Sequence, residues 1–400
     1  MSNTESTSEL SLYVHWPFCL SKCPYCDFNS HVSQELSHSR WRNALIVELK
    51  HLSENLQDRR LKSIFFGGGT PSLMEPETIS KIVHEANSLW QTDKKLEITM
   101  EANPSSVESE SLELFRDAGI NRLSLGVQSF DDEALRFLGR GHTAEDAIAA
   151  IEKAHALFDN ISFDLIYARP HQSLRQWMSE LASAISLAGN HLSVYQLTIE
   201  RGTQFFRRHK RGEFQIPDSD ESGLLYEATV EKLHSVGLPD YEISNHARPG
   251  SECLHNLQYW ETGDYLGIGA GAHSRITTKN GQRFAFRTHS APNAWLQKAE
   301  MHGHAIREKK RINAYEQLVE TLMMGLRLTK GLPVSRLESI SGLEIEELFP
   351  SEIIGMLTDQ GLLEITSSIV RATPSGRQRL DGLIGFLLEN TDPGFQKSTR

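Results

Sequence analysis

The chain has 400 residues, and its 52 acidic against 41 basic side chains give a formal charge of −11 with histidine neutral. That balance argues against a protein that grips nucleic acid by bulk positive charge. With 39% hydrophobic and 23% charged residues, the composition excludes a disordered or fibrous chain and suits one large core plus a smaller second domain.

The opening segment, Met1 to Leu10, is polar and carries Glu5 and Glu9. It lacks the basic start and apolar core of a secretion signal, and no later stretch approaches the roughly 18 apolar residues of a membrane span. A cytoplasmic protein without an integral membrane segment is expected. Of the four cysteines, Cys19, Cys23 and Cys26 share one short loop and Cys253 is remote. A metal or redox site fits this placement better than a disulfide scaffold.

From residue 11 to about residue 245, short apolar, β-branched runs alternate with longer segments of helical period. Strands are expected at Leu12 to His15, Leu61 to Phe66, Leu96 to Glu101, Arg122 to Val127, Ile161 to Tyr167 and Leu192 to Ile199. Helices are expected at Trp41 to Leu56, Pro76 to Leu89, Val107 to Ala118, Thr143 to Leu157, Ser173 to Ala188 and Ser219 to Val236. A helix after every strand is the pattern of βα units and a parallel sheet. Six units are too few to close an eight-stranded barrel. The expected fold is therefore α/β, a partial (β/α)6 TIM-like barrel with its site at the C-terminal strand ends. The unusual residues fall there: the cysteine loop after the first strand, Gly67 to Pro71 after the second, Glu101 to Pro104 after the third, and Gln128 after the fourth.

Tyr241 to about Lys309 is rich in Gly, His, Asn and aromatic residues and reads as edge strands and cover for the site. Beyond Ile312 the pattern gives a helix from Ala314 to Leu328, two more helices, a short β ribbon around Leu362 to Ala372, and a last helix from Pro374 to Leu388. That order is the order of a small α+β winged-helix-like domain. Such a domain can bind DNA, but the acidic balance favours packing on the barrel. The expected domains are 11–245, the partial barrel; 246–310, a barrel extension and connecting region; and 311–400, the winged-helix-like domain.

Within the cysteine loop the three thiols are spaced by four and three residues. Such a loop can curl around one iron–sulfur cluster and leave one iron of a four-iron cube without a protein ligand. A zinc site is the alternative. It would need Cys253 or a histidine as fourth ligand, because structural zinc is closed and tetrahedral. Gly67-Gly68-Gly69-Thr70 lets the backbone approach a ligand, although three glycines also make a plain turn. Glu101, Gln128, Arg140 and Asp164 lie at or beyond the following strand ends. A carboxylate there can accept from a ribose hydroxyl or an amino group, and Arg140 can pair a carboxylate bidentately; each could equally be a helix cap or a surface ion pair.

The loop, with Tyr25 directly before its last cysteine, resembles the signature of the radical SAM superfamily. The resemblance implies a 4Fe-4S cluster held by Cys19, Cys23 and Cys26, with S-adenosyl-L-methionine chelated at the open iron through its amino and carboxylate groups. It also implies that one-electron reduction cleaves the sulfonium to a 5′-deoxyadenosyl radical, the cofactor carrying the hard chemistry. The likeness narrows to the oxygen-independent coproporphyrinogen III oxidase branch on Tyr13 to Cys19, Gly67 to Ser72, Leu125 to Phe130, Phe163 to Tyr167 and Gly267 to Ser274, in that order and over nearly the whole chain. By this resemblance the S-adenosylmethionine site comprises Tyr13, Tyr25, Gly68, Gly69, Thr70, Glu101, Gln128, Arg140 and Asp164. The run Gly267 to Gly271 is no dinucleotide fingerprint, since no acidic residue and βαβ unit follow at the right distance.

Two departures separate the chain from the oxidases of that branch. They carry a fourth cysteine two residues after the third, where this chain has Phe28, and a longer N-terminal extension than the ten or so residues found here before the first strand. Cys253 to Trp260 instead matches the His-Asn-x-x-Tyr-Trp motif of the paralogous HemW group of heme-binding chaperones, as does Tyr241 to Asn245. The usual Gly-Leu-Pro after the fifth strand reads Ala168-Arg169-Pro170. The resemblance implies a heme chaperone that passes heme to an acceptor hemoprotein, such as a respiratory enzyme, and draws on an electron donor for its cluster. The oxidase activity is the alternative. A histidine beside a cysteine can be an axial heme ligand, and Tyr and Trp can stack on a porphyrin. His255 is therefore the candidate heme ligand and His273 a further one. The competing reading has His255 and Asn256 capping a turn, with Tyr259 and Trp260 anchoring the barrel to the C-terminal domain. A DNA-binding regulator with an iron–sulfur sensor is a third possibility. No catalytic residue is identified from the sequence.

Overall fold

The computed structural model describes residues 9–33, 36–105, 108 and 110–398. The strands in chain order are β1 (Glu9–Trp16), β2 (Phe18–Cys19), β3 (His31–Val32), β4 (Arg60–Gly68), β5 (Gln91–Ala102), β6 (Arg122–Gln128), β7 (Asn160–Tyr167), β8 (His191–Gln196), β9 (Asn245–Ala247), β10 (Asp264–Gly269), β11 (His273–Thr277), β12 (Arg283–Thr288) and β13 (Ile306–Arg311). The helices between them follow the expected alternation: His38–Ser53, Pro76–Leu89, Leu112–Asp117, Ala144–Leu157, Leu174–Leu187 and Ser219–Ser235. The expected helix start at Val107 lies outside the described residues.

Local chemistry sets these boundaries. Thr143 with Asp146, and Ser173 with Gln176, form capping boxes that satisfy the free N–H groups of their helices. Along β1, Leu10, Leu12, Val14 and Trp16 enter the apolar core beneath the helices. The alternate residues Ser11, Tyr13 and His15 point to the other side of the sheet, as the two-residue period of a strand requires. The same alternation places Ser63, Glu97, Glu101, Arg122, Asp164 and Ser193 on that inner side. The parallel strands thus have an apolar outer face under helices and a polar inner face.

The main sheet has eleven strands in the order β13-β12-β11-β10-β1-β4-β5-β6-β7-β8-β9. β10, β1 and β4 to β8 run parallel, while β9 and β11 to β13 are antiparallel. The region expected to hold edge strands therefore also supplies β10, an interior parallel strand beside β1. Its glycines make this possible: a Cβ on Gly267 would strike the His273 carbonyl, and Gly269, at φ +98°, would carry one into the His15 carbonyl.

The C-terminal part has its own apolar cluster, including Leu318, Leu322, Leu348 and Leu383. A three-stranded sheet of Leu332–Pro333, Leu363–Ile365 and Ile369–Ala372 completes it. Arginines fasten this unit to the sheet. Arg377 meets Asp240 at 2.8 Å, Arg327 meets Glu242 at 2.9 Å and Arg275 meets Glu320 at 2.7 Å. The Arg327 guanidinium also lies 4.5 Å from the Trp260 ring centre. No helix among the described residues is long and apolar enough to cross a membrane.

Candidate functional site

A cavity of about 1030 Å³ opens at the C-terminal strand ends. Cys19, Cys23, Tyr25 and Cys26 line it from the loop after β1. Gly68, Gly69, Thr70, Glu101, Gln128, Arg140 and Asp164 line it from the strand ends, and Arg327 and residues 377–382 from the C-terminal unit. The structure thus gathers the three loop cysteines and eight of the nine expected S-adenosylmethionine residues around one volume, and leaves Tyr13, His255 and His273 outside it.

The cysteine loop is held at both ends. β2 pairs with β3 across its base, and His31 N donates to the Pro17 carbonyl at 2.7 Å. Asn29 Nδ2 reaches across the sheet to the carbonyls of Ala270 at 2.8 Å and Ser290 at 3.0 Å, while Phe205 N donates to Pro24 O at 2.8 Å. All four cysteines are free thiols. Burial pushes the Cys19 and Cys26 thiols upward. Arg140 Nη1 lies 3.4 Å from Cys23 Sγ, supplying a cation where a thiolate would form. Burial opposes the charge on Arg140, and Tyr25 and Cys23 more than offset this. The other terminal nitrogen of Arg140 donates to Gly126 O at 2.8 Å and to the Asn103 side chain.

The glycine run forms a backbone wall. Gly68 has φ +116°, and a Cβ there would enter the His15 ring, while one on Gly69 would meet the Phe18 carbonyl at 2.6 Å. Gly68 N donates to Glu101 Oε2 at 3.1 Å. Glu101 and Asp164 are half-buried and both touch the cavity. Burial, reinforced by the Asp164 charge, raises Glu101 to about 8, and burial raises Asp164 to about 6. Gln128 adopts φ +69° at the end of β6, where the pairing register shifts.

Tyr13 and His255 lie deeper, among the inner-face side chains. Tyr13 OH is 3.1 Å from His15 Nδ1, and its ring packs on Phe65. It does not line the cavity. His255, the candidate heme ligand, is only 1% exposed. Its Nδ1 is 2.9 Å from Ser63 Oγ and its Nε2 3.1 Å from Tyr259 OH, so both ring nitrogens are occupied. Burial lowers its pKa to about 3. His255, the expected heme candidate, is therefore a buried and fully hydrogen-bonded ring outside the cavity lining, while Trp260 of the same motif anchors Arg327. Cys253 is buried with its thiol 3.5 Å from Glu97 and does not line the cavity. His273 is exposed at the start of β11.

Asn103, Tyr195, Tyr226 and Arg377 also line the cavity and were not singled out from the sequence. Asn103 follows Glu101 so closely that the Asn-Pro step ending the strand was a usable signal. The others had none.

A model of the Radical SAM superfamily matches residues 13–182, and one of the HemN C-terminal domain matches residues 312–379. Heme chaperone HemW of Escherichia coli is 35% identical over 95% of this chain and 98% of its own length. Heme chaperone HemW of Bacillus subtilis is 34% identical over 94% and 99%. The chain belongs to this radical SAM family. Radical S-adenosyl methionine domain-containing protein 1, mitochondrial, of Bos taurus is 34% identical over 100% of this chain and 91% of its own. Among solved structures, the radical SAM enzyme coproporphyrinogen III oxidase (HemN) of Escherichia coli matches with a TM-score of 0.79 at 24% identity, over 95% of this chain and 90% of that one. That likeness shows the fold.

As a radical SAM protein the chain takes a 4Fe-4S cluster and S-adenosylmethionine, and its residues fit both. Three free thiols share one wall of the cavity beside a fixed cation. Cys253, the fourth ligand a zinc site would require, lies elsewhere. Gly68 and Gly69 beside these thiols line the cavity, and the close approach of the His15 ring and the Phe18 backbone admits only glycine at either position.

Proposed function

We propose that the protein is a cytoplasmic heme chaperone that binds heme in this cavity and passes it to an acceptor hemoprotein. The observation that carries the reading is the cavity itself. At about 1030 Å³ it stands at the upper end of the roughly 300–1,000 Å³ of small-molecule sites. Tyr167, Val194, Leu197 and Ile243 give it apolar walls suited to a porphyrin, and Phe28, 57% exposed, adds another at the rim. The relatives named heme chaperones, similar over nearly their whole lengths, support the same reading.

In this reading Cys19, Cys23 and Cys26 hold the cluster. When bound, the cluster supplies an electron and an open iron for S-adenosylmethionine. Gly68 to Thr70 hydrogen-bond the methionine end, and Arg140 pairs its carboxylate. Glu101, Gln128 and Asp164 accept from amino and hydroxyl groups, and Tyr25 closes one side. Tyr13 acts from beneath, steadying His15 and Gly67. An electron-donor protein serves the cluster. We read the chain as 11–245, the barrel; 246–310, its extension; and 311–400, the unit that completes the cavity.

The test is anaerobic reconstitution followed by heme titration, with a parallel assay for decarboxylation of coproporphyrinogen. A saturable Soret band without decarboxylated product is expected. Absence of heme binding, or formation of protoporphyrinogen, overturns the proposal.

A further inference from the structure

We propose that Arg377, Tyr226 and Arg379 form a carboxylate-binding subsite in the part of the cavity wall built with the C-terminal unit, and that it takes the propionates of a porphyrin. The porphyrin assignment rests on the heme-chaperone reading above.

Arg377 is only 8% exposed, yet it lines the cavity. Its Nη2 donates to Asp240 Oδ2 at 2.8 Å. Its Nε is buried without a hydrogen-bond partner among the described residues, and so is the hydroxyl of Tyr226, which lines the same cavity. Buried polar groups are almost always satisfied, because leaving one unpaired forfeits its hydration without return. The two groups face each other closely enough for the guanidinium to donate to the Tyr226 oxygen. Even so paired, the phenolic proton and the guanidinium N–H groups not spent on Asp240 are donors that still lack an acceptor. A guanidinium already tethered through one nitrogen presents its remaining N–H groups in a fixed plane, the geometry that matches a carboxylate.

Arg379 lines the same cavity and is exposed. It forms no ion pair among the described residues, and its one hydrogen bond is a 3.4 Å contact to Ser375 O. Arg327, by contrast, is consumed by Glu242 and Trp260. The wall therefore offers one pre-oriented guanidinium with a hydroxyl and, two residues on, a free one. That is provision for two carboxylates on one ligand, as on a porphyrin edge. A purely structural Arg377 would need only the Asp240 pair, which a lysine could also make.

The test compares heme with heme dimethyl ester by Soret titration of the full-length, anaerobically reconstituted protein. Wild type is expected to prefer heme by tenfold or more. Tyr226→Phe, Arg379→Ala and Arg377→Lys should each weaken heme binding about tenfold, the loss of one hydrogen bond to a charged group, and leave the diester unaffected. Arg379 is exposed, so its variant does not depend on core packing. Equal binding of both porphyrins by wild type, or unchanged heme affinity in Tyr226→Phe and Arg379→Ala, overturns the subsite and leaves the chaperone reading standing. If neither porphyrin binds wild type, that reading falls and the porphyrin assignment with it.

Discussion

Arg140 reaches Cys23 Sγ with Nη1 at 3.4 Å while its Nη2 donates to the Gly126 carbonyl at 2.8 Å. One cation is thereby fixed by the end of β6 and aimed at the cysteine loop, where the ligands of a cluster and the carboxylate of S-adenosylmethionine would meet. Replacing it with Met keeps most of the stem and removes the charge. Arg140→Met is expected to weaken S-adenosylmethionine binding by tenfold or more, the scale of a charge-assisted hydrogen bond. Equilibrium dialysis on reconstituted protein measures it, and an unchanged affinity would remove Arg140 from the site.

The cysteines divide by location. Serine at Cys19, Cys23 or Cys26 should abolish the brown chromophore and the bound sulfide. Cys253→Ala should keep both, because that thiol faces Glu97 away from the cavity. Iron and sulfide analysis of the four variants decides; full iron in a loop variant, or its loss in Cys253→Ala, contradicts the arrangement.

His255→Ala should damage the fold and spare heme binding. The substitution removes a ring packed 4.9 Å from Phe65 and leaves Ser63 and Tyr259 short of a partner. A loss of about 3 kcal/mol is expected in chemical denaturation. A heme affinity that fell while stability held would restore His255 as a ligand.

Two kinds of buried group give the protein opposing pH dependences. His255, lowered to about 3 from 6.5, stays neutral in the fold, so its contribution is complete above pH 6.5 and is lost as pH falls toward 3. Glu101, raised to about 8 from 4.5, keeps its proton in the fold, so its contribution is present below pH 4.5 and is lost as pH rises through about 8. Glu101→Gln removes the second effect. Its stability relative to wild type should climb between pH 5 and 8, measured by denaturant midpoints. A flat difference over that interval would mean that Glu101 is ionised in the folded protein.

The barrel was legible because period-two runs such as Leu10 to Trp16 separate an apolar from a polar face, and capping residues such as Thr143 and Ser173 mark where helices begin. The cavity lining near the thiols was legible because each residue follows a strand end. β10 was less so: Gly267 and Gly269 look like loop glycines, and only the closeness of His15 and His273 explains them inside a strand. Arg377 and Tyr226 were invisible, since they lie more than a hundred residues apart in sequence and no local pattern pairs them. The surroundings of the histidine motif were hidden for a related reason. His, Asn, Tyr and Trp suit a heme contact, and they equally suit a polar layer closing the inside of a sheet, which depends on neighbours such as Ser63 that spacing does not reveal.

The hold of Asn29 on the carbonyls of Ala270 and Ser290 bears on how the cluster arrives. Because the thiol-bearing loop is tied to β10 and to the chain leading into the helix Pro292–His302, its ordering entropy is met when the sheet forms. Cluster insertion is then a docking event on a finished surface. Amide exchange in the loop should be slow before iron is added, and Asn29→Ala should speed that exchange and delay assembly without altering which thiols take part.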